Sequence, residues 1–246
     1  MASLWTRNDE PDDRPFWQQR GWQLSAAFLA VVLCAGLVAV LLGGPGDADA
    51  DRRALSGPLI GQLGPDGSRP GGCRTDDSDQ DAPTRPPRDV TWRTLNGARV
   101  PLSRSAGPLL TAGPLLWCFA HTPMGAVMAA HVIPRHMSGE DWRTATQQQV
   151  VAGPARDIFE AMRSSLQQTK PQHTAIALAG FMVMTYSPEL ATVRLLLRQG
   201  DTVYAYTDYT VAWDGVDWKL RPLSTGDLHT RVTAAKAGDG FVMWGV

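Results

Sequence analysis

The hydrophobic pattern near the amino terminus is one uninterrupted run. Residues 22–42 carry no formal charge, and a helix of this length, at about 1.5 Å per residue, spans the roughly 30 Å hydrocarbon layer of a bilayer. A buried helix of a soluble domain normally keeps a polar stripe, whereas only Gln23 and Ser25 are polar here. The run predicts an uncleaved transmembrane helix, with a cleaved signal peptide ending near the small residues at 48–50 as the alternative.

Charged and aromatic residues beside the run predict its orientation. Three arginines precede it and two follow it closely, and cytoplasmic flanks are the more basic ones. Arg20 lies next to the apolar run, and we expect Trp17 and Trp22 at the membrane interface. Residues 1–21 are therefore predicted to be a cytoplasmic tail. The lipid bilayer is a predicted partner, and the remaining chain is predicted to be extracytoplasmic in a single-pass protein of the cell membrane.

Polar, Gly-rich and Pro-rich sequence fills residues 43–89. This stretch holds nine Asp and six Arg and offers little apolar area to offset the entropy lost on ordering. We interpret it as a flexible linker. Residues 90–246 contain most of the aromatic residues and are predicted to be the folded extracytoplasmic domain.

Helical and hairpin signals open this domain. Asn96-Gly97 between two extended runs predicts a β-hairpin. Thr122 followed by Pro123 predicts a helix start, and Pro134 is expected to end or kink that helix. Ser138 and Asp141 have capping-box spacing before a short second helix. A third helix is predicted from Pro154 to about Gln168, burying its apolar residues, which are Ile158, Phe159, Met162 and Leu166.

After Pro171 the hydrophobic period changes from 3.6 to 2. Four segments then read as strands: 176–186, apolar on both faces, and 190–198, 202–213 and 216–221, which alternate. Their connectors are of hairpin length. The sequence predicts an α+β fold with helices packed on a four-stranded antiparallel sheet. A short terminal strand is also expected at 241–244.

Composition and motifs exclude several function classes. The 246-residue chain has 23 basic and 24 acidic residues, a net charge of −1, so no direct nucleic-acid binding is expected. Phosphate-loop, zinc-protease and serine-hydrolase motifs are missing. We therefore predict no catalytic residues, no metal site, no cofactor and no enzymatic activity. Tyr204, Tyr206 and Asp208 share one strand face and are a possible pocket, with a solvated polar face as the alternative.

Two cysteines fall on the predicted outer side of the membrane. In an oxidising compartment, Cys73 and Cys118 are expected to pair as a disulfide. Two unpaired cysteines, one exposed and one buried, are the alternative.

The string Phe119-Ala120-His121-Thr122-Pro123, followed by Gly125-Ala126 and an Ala-rich helix, resembles a family of actinobacterial single-pass membrane proteins associated with integrative conjugative elements. The resemblance covers roughly residues 70–222. Such proteins are similar in plan to the bitopic scaffold subunit of Gram-positive type IV secretion channels. The resemblance implies an external α+β domain of the nuclear-transport-factor-like or cystatin-like cone type, and the step from architecture to conjugation is analogy.

These observations lead to two functional hypotheses. The first is a non-enzymatic membrane-anchored scaffold or adaptor that binds other membrane-complex subunits, or a second copy of itself, in a conjugation or type IV secretion-like DNA-transfer apparatus. The alternative is a cell-envelope sensor or small-ligand-binding module that uses a cavity inside the cone.

Overall fold

The computed structural model of the chain describes residues 69–166, 176–236 and 240–245, all within the compact unit Ala50–Val246. Among these residues, no helix has the length and apolar character needed to cross a bilayer. The predicted transmembrane helix over 22–42 lies outside the described residues, as do the three predicted interface residues, Trp17, Arg20 and Trp22.

The described elements begin with two small hairpins, which are β1 (Thr91–Leu95) with β2 (Ala98–Leu102), and β3 (Leu110–Ala112) with β4 (Leu115–Trp117). Three helices follow, α1 (Pro123–His136), α2 (Trp142–Gln149) and α3 (Pro154–Ser165). The remaining strands are β5 (Ile176–Tyr186), β6 (Leu190–Gln199), β7 (Val203–Trp213), β8 (Trp218–Leu220), β9 (Thr233–Ala235) and β10 (Val242–Met243). The mixed α+β class is as predicted.

Strands β5 to β8 form the expected antiparallel meander, each strand hydrogen-bonded to the next. The predicted count of four strands is wrong, because β10 pairs with β5 and β9 pairs with β7 to give a six-stranded sheet. Both added strands are only two or three residues long. They are too short for an alternating pattern to identify them, although the expected terminal strand at 241–244 contains β10.

Helix α1 lies at the centre of the core. Its start is as predicted, because the Thr122 hydroxyl accepts a hydrogen bond from the Gly125 amide at 3.1 Å. Its end is not, since the helix continues through Pro134 to His136. Ile133 and His136 are buried on either side of the proline, and these tertiary contacts outweigh the backbone hydrogen bond that proline removes.

The other two helices also differ from expectation. Helix α2 begins at Trp142, and the Ser138 hydroxyl donates to the Arg135 carbonyl oxygen (2.8 Å) rather than capping α2. The predicted capping box is therefore wrong. Helix α3 has no fully buried residue. Phe159 packs against the core, whereas Ile158, Met162 and Leu166 are exposed rather than buried as their spacing suggested.

Residues 69–89 lie against the domain, although their composition predicted a flexible linker. Cys73 is buried. The Tyr186 hydroxyl donates to Gln80 Oε1 (2.7 Å), and Gln80 Nε2 donates to the His121 carbonyl oxygen (2.9 Å). These long-range contacts, which composition cannot reveal, hold this segment against the folded domain.

Candidate functional site

A cavity of about 700 Å³ lies between the β1–β2 hairpin, the carboxyl-terminal part of α1 and one end of the large sheet. Leu178, Leu195 and Leu197 contribute to its apolar wall. In the β5–β6 register Leu178 lies opposite Leu197 and Phe181 opposite Leu195, and a bulge between them keeps both β5 residues on the inner face. The cavity is therefore built on the sheet face that packs against α1.

Polar groups gather at one end of this cavity, where Arg135, Thr207, Tyr209 and His229 contribute to its lining. The Thr207 hydroxyl donates to the Thr230 carbonyl oxygen at 2.7 Å, and the rings of Tyr209 and His229 lie 5.3 Å apart. Among the described residues, no aspartate or glutamate lines the cavity. Its charged groups are consequently all basic.

Tyr209 is a partly buried hydrogen-bond donor at this polar end. Burial raises the pKa of Tyr209 to about 12, while the positive charge of Arg135 acts in the opposite direction. The hydroxyl is therefore protonated at neutral pH. It has no hydrogen-bond partner within the described part of the chain, which leaves its O–H available to a ligand.

His131 separates the cavity from the core and holds the carboxyl-terminal strand. Its Nδ1–H donates to the Val127 carbonyl oxygen (2.8 Å), and its Nε2 accepts from the Trp244 indole N–H (3.0 Å). Burial lowers the pKa of His131 to about 4, and Arg135 lowers it further. Both ring nitrogens of this neutral imidazole are occupied, so His131 has a structural role.

The three residues predicted as a possible pocket do not line this cavity. Tyr204, Tyr206 and Asp208 alternate with Thr207 and Tyr209 along β7 and therefore lie on the opposite sheet face. There the Asp208 carboxylate accepts two hydrogen bonds from Arg194, at 2.7 and 2.9 Å. The Arg194 guanidinium also lies 4.0 Å from the centre of the Tyr206 ring. The three residues therefore lie outside the lining of this cavity, on the strand face opposite Thr207 and Tyr209.

A second polar cluster, remote in sequence, holds the amino-terminal segment of the domain. The sulfur atoms of Cys73 and Cys118 lie 2.02 Å apart, at disulfide distance, as the sequence predicts. Beside them the buried Asp217 carboxylate accepts from the amides of Cys118 (2.6 Å) and Phe119 (2.9 Å) and from Arg69 (3.1 Å). This cluster is an anchor for the chain and is closed to a ligand.

Burial raises the pKa of Asp217 to about 7, against the lowering effects of Arg69 and of the amides of Phe119 and Cys118. Every group that contacts the two oxygens is a donor. None can accept a proton from a carboxylic acid, so the ionised carboxylate is the form that these contacts suit.

The string that carries the family resemblance has a structural explanation. The His121 ring stacks on Trp213, with ring centres 4.0 Å apart, and Thr122 caps α1. A Cβ atom at Gly125 would lie 1.9 Å from the Ala120 carbonyl oxygen, so only glycine fits there. The string therefore shapes the turn into α1, and His121 contacts aromatic rings instead of a reacting group.

The described residues offer no catalytic constellation around these clusters. In 69–166, 176–236 and 240–245, no three metal-ligating side chains converge. The second buried histidine, His136, accepts from the Leu116 amide (3.2 Å) and is hydrogen-bonded to Gln149, and burial lowers its pKa. Both nitrogens of the His136 ring are therefore engaged within the domain.

A separate apolar surface lies on α3. Ile158, Met162 and Leu166 follow at four-residue intervals and are 41%, 40% and 62% exposed, respectively. Ile158 and Met162 share one face of α3, and Leu166 directly follows its last helical residue. Gly226 packs against Ile158 at one end of the row, and on another flank Gln147 of α2 donates to Glu160. Among the described residues the row is therefore a partly exposed apolar stripe on their most amphipathic helix.

Sequence reasoning missed most of the cavity. Arg135 follows Pro134, where a helix end or kink was expected, and Tyr209 was not identified as a lining residue. The alternation of β7 was a partial signal, because it separates Tyr209 from Tyr204 and Tyr206 on the opposite face without showing which face the helices cover.

Comparison with known proteins gives one match. The protein family described as Domain of unknown function (DUF8175) matches residues 56–243. Searches of curated proteins and of solved structures found no significant match. The matched region includes the linker-like residues that the structure shows folded against the domain, together with every described helix and strand. The chain belongs to the DUF8175 family.

Proposed function

We propose that this protein is a non-enzymatic, membrane-anchored scaffold or adaptor whose extracytoplasmic domain binds other protein subunits of a membrane complex. A conjugation or type IV secretion-like DNA-transfer apparatus is the proposed setting. The proposed fold type is the nuclear-transport-factor-like or cystatin-like cone. The central helix against an antiparallel meander supports that assignment.

The partly exposed apolar stripe of α3 is the observation that carries this proposal. Ile158, Met162 and Leu166 would lose accessible apolar area on docking into a groove or against a helix of another subunit, as amphipathic helices do in protein complexes. Burying apolar surface contributes about 25 cal/mol per Å². The stripe is flanked by charged residues of both signs, Asp157, Glu160 and Arg163. Such a polar border around an apolar centre is typical of a protein interface.

Site-specific photocrosslinking in living cells tests this function. A photoreactive residue replaces Met162 in the full chain. The matched control places the same residue at Met184, which lies on a strand and is 41% exposed, close to the 40% of Met162. We expect adducts with identified membrane-complex subunits at position 162 and not at 184. Adducts of equal yield at both positions, or adducts with soluble proteins alone, would overturn the proposal.

A second candidate function is favoured by the cavity. A cavity of about 700 Å³ that is open to solvent and lined by basic residues falls in the roughly 300–1,000 Å³ range of ligand pockets. It supports a cell-envelope sensor or small-ligand-binding module. The ligand titrations of the next section test this candidate.

A further inference from the structure

We propose that the cavity binds a small amphiphilic anion, with its anionic group between Arg135 and the Tyr209 hydroxyl and its apolar body against the leucines of β5 and β6. This inference rests on the second candidate function and specifies the class of ligand.

The first argument is the charge of the cavity. Arg135 forms no salt bridge among the described residues. Arg135 lines the cavity together with His131 and Tyr209, and its positive charge lowers the pKa of both. A second arginine, Arg99, contributes to the lining, with its guanidinium 5.2 Å from the centre of the Trp92 ring. A partly buried guanidinium without a carboxylate partner favours an anion that can accept its hydrogen bonds.

The second argument is the direction of the hydrogen-bonding groups. Arg135 and the protonated Tyr209 hydroxyl both line the cavity and both offer hydrogens. A carboxylate has two acceptor oxygens and can bind both donors at once. An alcohol oxygen can accept a hydrogen bond but carries no charge, and an ammonium group has only hydrogens to offer, so neither would balance the positive charge of Arg135.

The third argument is the apolar wall. Leu178, Leu195 and Leu197 form part of it, and Ile176 and Val232 contribute further apolar lining. A bare inorganic anion would leave this surface uncovered. An alkyl chain or ring buried against it gains about 0.8 kcal/mol per CH2 group. The cavity therefore matches a molecule with one charged end and one apolar end.

Isothermal titration calorimetry with three probes of equal chain length tests the proposal. Octanoate, octanol and octylammonium are titrated into the full chain in lipid nanodiscs, and empty nanodiscs give the reference for partition into lipid. We expect octanoate to bind at least about tenfold more tightly than octanol, because a charge-assisted hydrogen bond contributes a free energy of that size. We expect octylammonium not to bind.

Two variants assign the anion to the proposed end of the cavity. Arg135→Gln should weaken octanoate binding about tenfold and leave octanol binding unchanged, whereas Arg93→Gln, at an exposed arginine outside the lining, should change neither. Tyr209→Phe removes only a hydroxyl and should weaken octanoate binding by a smaller factor, so it tests the same end if Arg135→Gln fails to fold.

The outcomes separate this inference from the function on which it rests. Equal binding of octanoate and octanol, or octanoate binding unaffected by Arg135→Gln and Tyr209→Phe, would overturn the anionic class and leave the ligand-binding function standing. Absence of binding by all three probes would overturn both.

Discussion

Replacing Asp217 with asparagine tests whether the buried anchor of the amino-terminal segment stabilises the domain. Oδ1 accepts from Arg69 Nη2 (3.1 Å), Phe119 N (2.9 Å) and Trp218 N (3.1 Å), and Oδ2 accepts from Cys118 N (2.6 Å). An asparagine amide must turn its NH2 group toward at least one of these donors. It also leaves the Arg69 guanidinium without its carboxylate.

The expected loss of unfolding free energy follows from the burial of the Arg69–Asp217 ion pair. The side chains of Arg69 and Asp217 are only 11% and 3% exposed, and removing one partner of a buried ion pair costs about 3–5 kcal/mol. Asp208→Asn is the matched control, since Asp208 also pairs with an arginine, Arg194, but the two side chains are 23% and 18% exposed. We expect a cost of about 1 kcal/mol or less there.

If distance alone decided, Asp208→Asn would lose more unfolding free energy than Asp217→Asn. The N–O distance of the Asp208–Arg194 pair is 2.7 Å, against 3.1 Å for Asp217–Arg69, and its contact is bidentate. The free energy of unfolding is measured by urea denaturation of the full chain in detergent, followed by tryptophan fluorescence. A loss in Asp208→Asn equal to or greater than that in Asp217→Asn would refute the reasoning from burial.

Two further predictions concern pH and the disulfide. The pKa of His131, lowered from 6.5 to about 4, means that its contribution to stability is complete above pH 6.5 and is lost as the pH falls toward 4, by about 3 kcal/mol in all. His131→Gln should flatten this part of the urea-unfolding free energy against pH, and an unchanged slope would contradict the assignment. Replacing Cys73 and Cys118 by alanine removes a link across 45 residues and should cost about 4 kcal/mol of chain-entropy stabilisation. An unaltered melting temperature in the double variant would count against this link.

Local patterns predicted the elements whose signals lie within a few residues of each other. The hairpin at Asn96-Gly97 is present, with both residues at positive φ (47° and 80°), as a two-residue turn between right-twisted strands requires. The Thr122 cap and the four-strand meander are also present. In each case the side chains that determine the element are neighbours in sequence.

Predictions that depended on which face is covered were less successful. The apolar row of α3 has the spacing of a core helix, yet Met162 and Leu166 remain exposed. Periodicity shows that a helix has an apolar face, and it does not show what covers that face. The pocket candidates Tyr204 and Tyr206 lie outside the cavity for a related reason, since alternation along β7 defines two faces without saying which one α1 occupies.

By itself the sequence determined the α+β class, the order of the three helices before the meander and the cysteine pair, because spacing and residue type act over short distances. Only the tertiary structure decided the placement of residues 69–89 against the domain, the six-stranded sheet and the basic cavity. These depend on contacts such as Trp244 with His131 and Arg69 with Asp217, across 113 and 148 residues. A hydrogen bond across such a separation forms only when the whole core brings its two partners together, so no local pattern records it.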